Sequence, residues 1–340
     1  MSSASTTTAA PPPTTSFSGE SPDVSRFVET FYRITQNIEK VIHGQREAVY
    51  HTLLCLVAGG HLLLTDAPGV GKTSLAKALA RSLNLEFRRI QSTPDLLPSD
   101  VLGVNIWHQA NQEFVFHPGP VFSNLVLVDE INRTSPKTQS ALLEAMAEQQ
   151  ATIDGTRHAL ASPFMVVATQ NPLEQEGTYP LPESQLDRFL MRLHFGYPDP
   201  ASEMMILNTH SKSPSGDAID NLEAVATEGD LLAMIKVREQ ISIDAEVQRY
   251  LINIATATRQ NPSLMLGMSP RATLSLQLLA QARAASQNRG FVIPDDAKAL
   301  AHVALCHRLV LNHDAQRRGV TREAVVDSVL QSVPVPLLGT

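Results

Sequence analysis

From His61 to Ala80 the chain reads HLLLTDAPGVGKTSLAKALA. An apolar run enters a turn with two glycines, and a helical pattern opens at Gly71-Lys72-Thr73. This order leaves few folds open. The apolar run belongs in a sheet, and the helix must pack back across it. Glycines let several N–H groups point inward, and a helix start adds partial positive charge, so the segment suits phosphate. The strict pattern G-x-x-x-x-G-K-[ST] is not met, because Asp66 stands at its first glycine. Asp66 precedes the tight part of the turn, so the cradle from Gly69 to Thr73 is intact. The binding candidates are Pro68, Gly69, Val70, Gly71, Lys72, Thr73 and Ser74. Lys72 would reach the β- and γ-phosphates, and the Thr73 hydroxyl would ligate Mg²⁺, which prefers hard oxygen donors.

Around this segment, apolar runs alternate with helical patterns. HLLLT, LEFRRI, NLVLVDE, FMVVATQ and RFLMRLHF read as strands, with TSLAKALARSL and PKTQSALLEAMAEQ as helices. The alternation predicts an α/β fold, a three-layer αβα core with a parallel sheet over residues 24–197. The run VLVD is apolar at successive positions, as a strand buried on both faces requires. After GYPDP (Gly196 to Pro200) the patterns turn helical, as in DAEVQRYLINIATATRQ, PRATLSLQLLAQARAAS and PDDAKALAHVALCHRLVLN. An all-helical lid domain is therefore expected over residues 198–340. Residues 1–23 are almost all Ser, Thr, Ala and Pro, too poor in apolar surface to offset ordering entropy, and are expected to be a disordered tail.

LVLVDE ends in Asp129 and Glu130. Ligands of open α/β sheets bind at the carboxyl ends of the strands. Asp129 is the candidate carboxylate that would hold Mg²⁺ through its water shell, and Glu130 the candidate general base for an attacking water. FMVVATQN ends in Asn171, either an amide that orients the water or a turn former before Pro172.

With these features in place, the chain resembles the AAA+ ATPases and, within them, the MoxR family. The resemblance runs from about Val41 to Pro336. It is carried by VIHGQ, DAPGVGKT, STPDLLPSDVLG, FHPGPVFSNLVLVDEINR, PKTQSALLEAMAEQQ, ATQNPLEQEGTYPLPESQLDRF and GMSPRA. Aspartate at the head of the loop is usual in MoxR-like proteins. The resemblance implies a P-loop AAA+ core and lid, with Ile42 lining the adenine site near Gly44 and Gln45. It implies sensor 1 at Asn171, an arginine finger for a neighbouring subunit at Arg188, and a sensor-2 arginine at Arg271. VNIWHQANQEFVFHPGP is similar to the helix-2 insert, and ATIDGTRHAL to the hairpin before sensor 1. Two of these have physical support of their own. Ser269 and Pro270 read as N-cap and N1, which puts Arg271 at N2, where a cation opposes the helix dipole. Asp154-Gly155 is a two-residue hairpin signal. For Arg188, a local ion pair with Asp187 is the alternative.

The resemblance implies an ATPase that uses ATP and Mg²⁺ in a homo-oligomeric ring, a hexamer, for chaperone-like remodelling or maturation of a client. A separate von Willebrand factor A domain protein is the expected partner. Two other readings are a nucleic-acid motor and a nucleotide-switch scaffold. The net charge of −7 argues against a nucleic-acid motor, and Arg88–Arg89 is too short a basic run for a patch. Lys72, Asp129 and Glu130 argue against a scaffold that does not hydrolyse. The two cysteines, Cys55 and Cys306, form no CxxC pair and read as small hydrophobes in a reducing compartment. With no apolar run of spanning length and no secretory leader pattern, no membrane insertion and a cytoplasmic location are expected. The eleven histidines show no metal-ligand spacing, and His43, His51 and His61 read as structural.

Overall fold

The computed structural model describes residues 22–65, 69–171, 177–212 and 219–336. Asp66, Pro68 and residues 1–21 of the predicted tail lie outside them. Helix α1 (Pro22–Glu39) begins two residues inside that tail. Proline suits the first turn of a helix, and Asp23 complements the positive end of its dipole. Val24, Phe27, Phe31, Ile34 and Ile38 are buried, the three- and four-residue spacing of one helix face. Helix α2 (Arg46–Val57) packs beside it.

The elements that follow are β1 (Leu62–Thr65), α3 (Lys72–Ser82), β2 (Phe87–Gln91), α4 (Pro98–Leu102), β3 (Gly103–His108) and β4 (Glu113–Pro118). Then come β5 (Leu125–Asp129), α5 (Pro136–Glu148), β6 (Gln150–Ile153), β7 (Thr156–Ala159), β8 (Met165–Gln170), α6 (Glu183–Leu186) and β9 (Met191–Leu193). The five strands read from the apolar runs form one parallel sheet in the order β2-β5-β8-β1-β9. Alternate residues of the inner strands enter different cores. Leu62, Leu64, Leu125, Leu127, Met165 and Val167 pack with Leu75 and Leu79 of α3. Leu63, Val126, Val128, Val166 and Ala168 pack with Leu142, Leu143 and Met146 of α5. Both sets are apolar because helices cover both faces, which is why these strands show no alternation in sequence.

Two antiparallel hairpins interrupt the alternation. β3 pairs with β4, and β6 with β7 around Asp154-Gly155, whose φ angles are +48° and +80°. Both residues in the left-handed region is the backbone of a type I′ turn. The hairpins touch: Asn105 Nδ2 donates to Asp154 Oδ2 at 2.7 Å, and Phe116 stacks on His158 with centroids 4.1 Å apart.

The last part holds α7 (Pro200–Lys212), α8 (Glu228–Gln240), α9 (Ala245–Gln260), β10 (Leu264–Leu266), α10 (Pro270–Ser286), α11 (Pro294–Leu305), β11 (Val310–Leu311), α12 (His313–Arg317) and α13 (Arg322–Ser332). It is a helical lid with one addition. The helical pattern read through Asn312 ends at Leu305, and β11 pairs antiparallel with β10. Side chains cap the starts of most of its helices. Thr227, Asp244, Ser269 and Thr321 each accept a first-turn N–H. Asp296, 1% exposed, is held by both Nη atoms of Arg289 at 2.6 and 2.8 Å and accepts from the Ile293 N–H. The apolar core is continuous from Val24 of α1 to Val329 of α13, so lid and sheet share one interior.

Candidate active site

The parallel register brings the functional ends of four strands to one edge. Gln91 stands opposite Asp129, Val128 opposite Ala168, and Thr65 opposite Gln170. A cavity of about 350 Å³ opens there. It is lined by Gly69, Gly71, Lys72, Thr73 and Ser74 from the turn into α3, by Asp129 and Glu130 after β5, and by Thr169 and Asn171 at the end of β8.

The turn has the conformation its glycines permit. Gly69 has φ +83° and Gly71 +101°, values that side-chain-bearing residues rarely adopt. Gly71 is the N-cap of α3 and offers no side chain to the first-turn N–H groups. The helix therefore meets the cavity with backbone donors and a positive dipole end. Lys72 is buried, and its neighbours Thr73 and Ser74 are partly exposed on the same wall. Val70 is half-buried and packs against the apolar core instead.

At the carboxylate strand, Asp129 is 9% exposed. Its Oδ1 accepts from Thr169 Oγ1 at 3.1 Å, and its Oδ2 accepts from Arg89 Nε at 2.8 Å, with Nη2 of the same guanidinium in ion-pair contact at 2.6 Å. Glu130 turns sharply out of the strand at φ +56°, an uncommon backbone state for a glutamate that a surrounding structure must hold. Here its N–H donates to Thr169 Oγ1 at 2.8 Å, and Arg133 Nη1 donates to its Oε2 at 3.0 Å. The Thr169 hydroxyl thus accepts from the Glu130 backbone and donates to the Asp129 carboxylate, which ties the turn at Glu130 to the Asp129 side chain.

The structure gathers Gly69, Gly71, Lys72, Thr73, Ser74, Asp129, Glu130 and Asn171 around one cavity and leaves Val70 and three more distant expected residues off its lining. Ile42 is buried in the core beside α1 and α2. Its neighbour Gly44, at φ +74°, lies against Ser202 of α7, and Gln45 Nε2 donates to the Gly196 carbonyl at 3.4 Å. Arg271 is exposed at the second position of α10, after Ser269 as N-cap and Pro270 as first residue. Arg188 donates from Nη1 to the Leu143 carbonyl at 2.8 Å. Its neighbour Asp187 is taken by the Ser269 hydroxyl at 3.0 Å and lies 3.6 Å from Arg308. Pro68 lies outside the described residues.

Four site residues escape the sequence reading: Arg89, Gln91, Thr169 and Arg133. Thr169 has a signal, a hydroxyl inside an otherwise apolar strand. Arg89 and Gln91 have one only when β2 is known to lie beside β5, because two polar residues on an edge strand are otherwise a solvated face.

The residues fit a nucleotide with a divalent cation. A lysine and a glycine turn suit phosphate, and a threonine hydroxyl with a carboxylate on the same cavity is a hard-oxygen donor set. The sequence pattern of the ATPase family associated with various cellular activities (AAA) matches residues 61–191, and that of an AAA lid domain matches residues 256–329. The chain is 47% identical to the uncharacterised protein YeaC of Bacillus subtilis, over 90% of this chain and 94% of that one. It is 38% identical to Chaperone MoxR1 of Mycobacterium tuberculosis, over 94% of this chain and 85% of that one. A crystal structure of a candidate ATPase from Cytophaga hutchinsonii matches with a TM-score of 0.86 at 37% identity, covering 93% of this chain and 98% of that one.

Proposed function

The chain belongs to the MoxR family of AAA+ ATPases, and from that premise we propose that it hydrolyses ATP at the carboxyl edge of its sheet and uses the turnover to remodel or mature a client protein. The observation that carries the proposal is the convergence of Lys72, Thr73, Asp129, Glu130 and Asn171 on one cavity. In this reading the turn from Pro68 to Ser74 cradles the phosphates, with Lys72 on the β- and γ-groups. Thr73 and Asp129 hold Mg²⁺, which neutralises phosphate charge when bound. Glu130 takes a proton from water as its oxygen bonds to the γ-phosphorus and the bond to the β–γ bridging oxygen breaks. Asn171 orients that water. Ile42 supports the adenine, and Arg271 on the lid approaches the phosphates when the lid closes.

Arg188 serves the neighbouring subunit's site. Its place against α5, off its own cavity, supports that role. The working form is then a ring, a hexamer, with ATP at each subunit boundary. The name of the Mycobacterium tuberculosis relative supports a chaperone role. A von Willebrand factor A domain protein is the proposed separate partner. Among the described residues no helix is long and apolar enough to cross a membrane, and we place the ring in the cytoplasm.

Two variants test the site. Lys72→Ala should abolish binding of a fluorescent ATP analogue; unchanged affinity would remove the phosphate cradle. Glu130→Gln should keep that binding and lower phosphate release by roughly 10²–10⁴-fold, the usual worth of a general base. Near-normal turnover would take Glu130 out of the mechanism.

A further inference from the structure

Asp129, the carboxylate assigned to the cation, already carries a guanidinium. Its two oxygens have partners of different kinds. Thr169, on Oδ1, is 1% exposed and sits within an inner strand, so packing holds it in place. Arg89, on Oδ2, comes from the edge strand, and its side chain is 50% exposed against 13% for that of Asp129. Its Nη2 also donates to Gln91 Oε1 at 2.8 Å, so a second partner lies beside it. A guanidinium and a divalent cation held at one carboxylate repel each other, even across the metal's water shell. The half-exposed arginine on the edge strand has more room to give way than the packed Thr169.

We propose that Arg89 is a positioning residue that makes divalent-cation binding at Asp129 conditional on nucleotide. A cation arriving alone has to displace the guanidinium and leave it beside a double positive charge. A cation arriving on a triphosphate brings negative charge into the cavity that Arg89 itself lines with Lys72. The guanidinium then exchanges a carboxylate oxygen for a phosphate oxygen, both good partners for arginine. Arg89 therefore opposes the bare metal and leaves the metal–nucleotide complex little affected. This rests on the reading of the cavity as a nucleotide site.

The test is a Mn²⁺ titration followed by electron paramagnetic resonance, with and without a non-hydrolysable ATP analogue, the Asp129→Asn titration serving as background. In the wild type, Mn²⁺ alone should bind weakly and the analogue should tighten it strongly. Arg89→Gln should tighten binding of Mn²⁺ alone by roughly tenfold, the scale of one lost charge-assisted contact, and so shrink the gain from the analogue. Arg89→Lys, which keeps a cation without the two-nitrogen grip, should fall between. Superposable titrations of Mn²⁺ alone for wild type and Arg89→Gln would overturn the proposal. Failure of the wild type to bind the analogue at all would overturn the nucleotide reading itself, which separates the two.

Discussion

His61 stands just before β1 with both ring nitrogens engaged. The Val166 N–H donates to its Nδ1 at 3.0 Å, and its Nε2–H donates to the Met146 carbonyl at 3.1 Å. This pattern holds one neutral tautomer, and burial lowers the pKa from 6.5 to about 4. The unfolded chain therefore binds a proton that the fold refuses. The contribution is intact above pH 6.5 and is lost as pH falls toward about 4. His307 is lowered too, first by burial and then by Arg308, so it acts in the same direction. At pH 5 the His61 share should be about 2 kcal/mol. Urea unfolding at pH 7.5 and pH 5 measures it. His61→Gln should shrink the difference, and an unchanged difference would place the acid sensitivity elsewhere. The thiols stay protonated: Cys306 is pushed up to about 12 and Cys55 is also raised, in both cases chiefly by burial.

At the scale of elements, the β3–β4 hairpin hangs on two glycines set back to back. A Cβ on Gly119 would lie 2.3 Å from the Val101 carbonyl oxygen and 2.6 Å from the Gly103 nitrogen. Gly103 itself has φ +96°, and a Cβ there would meet the His117 carbonyl oxygen at 2.3 Å. These obstacles are backbone, so they cannot rotate away. Gly119→Ala should spread the base of the hairpin at a cost of about 1–3 kcal/mol. It should accelerate amide hydrogen exchange across residues 103–118 while leaving ATP-analogue binding near normal. Unchanged exchange would show that the base accommodates a methyl group. The hairpin carries Trp107 and Phe114 in edge contact at 5.1 Å, both well exposed, so a loosened base would move this exposed aromatic pair.

For the whole molecule, lid and core share one apolar interior, and one short segment adds polar links between them. Asp187 receives the N-cap hydroxyl of α10, and the Phe189 carbonyl accepts from Arg308 Nη2 at 2.7 Å. Arg308 is 4% exposed, and burial lowers its pKa to about 10, so it stays charged at neutral pH. Arg188 lies between these two anchors. A finger that reports on a neighbour's nucleotide would thus be tied directly to its own lid. Arg188→Ala and Glu130→Gln should each be nearly inactive alone, since an arginine finger is worth about 10³–10⁵ in turnover. Co-expressed in mixed rings they should recover part of the activity, because an Arg188→Ala site can borrow the finger of a Glu130→Gln neighbour. No recovery in rings shown to contain both would mean that Arg188 does not act across the boundary.

The sequence alone carried the strand–turn–helix, the five strands, the Asp129-Glu130 pair and the hairpin at Asp154-Gly155, because each is set by local spacing and turn chemistry. Even the misfit Arg271 was legible, since Ser269 and Pro270 mark the helix start by themselves. Tertiary structure decided what depends on which strands are neighbours. The order β2-β5-β8-β1-β9 puts Arg89 on Asp129 and Thr169 between the Asp129 carboxylate and the Glu130 backbone N–H. It also sets β11 against β10, where the apolar residues before Asn312 find a strand partner instead of another helical turn. Asp187 illustrates the limit. Beside Arg188 in sequence it suggests a local ion pair, but the fold brings it Ser269 and Arg308 from far along the chain, and those contacts prevail.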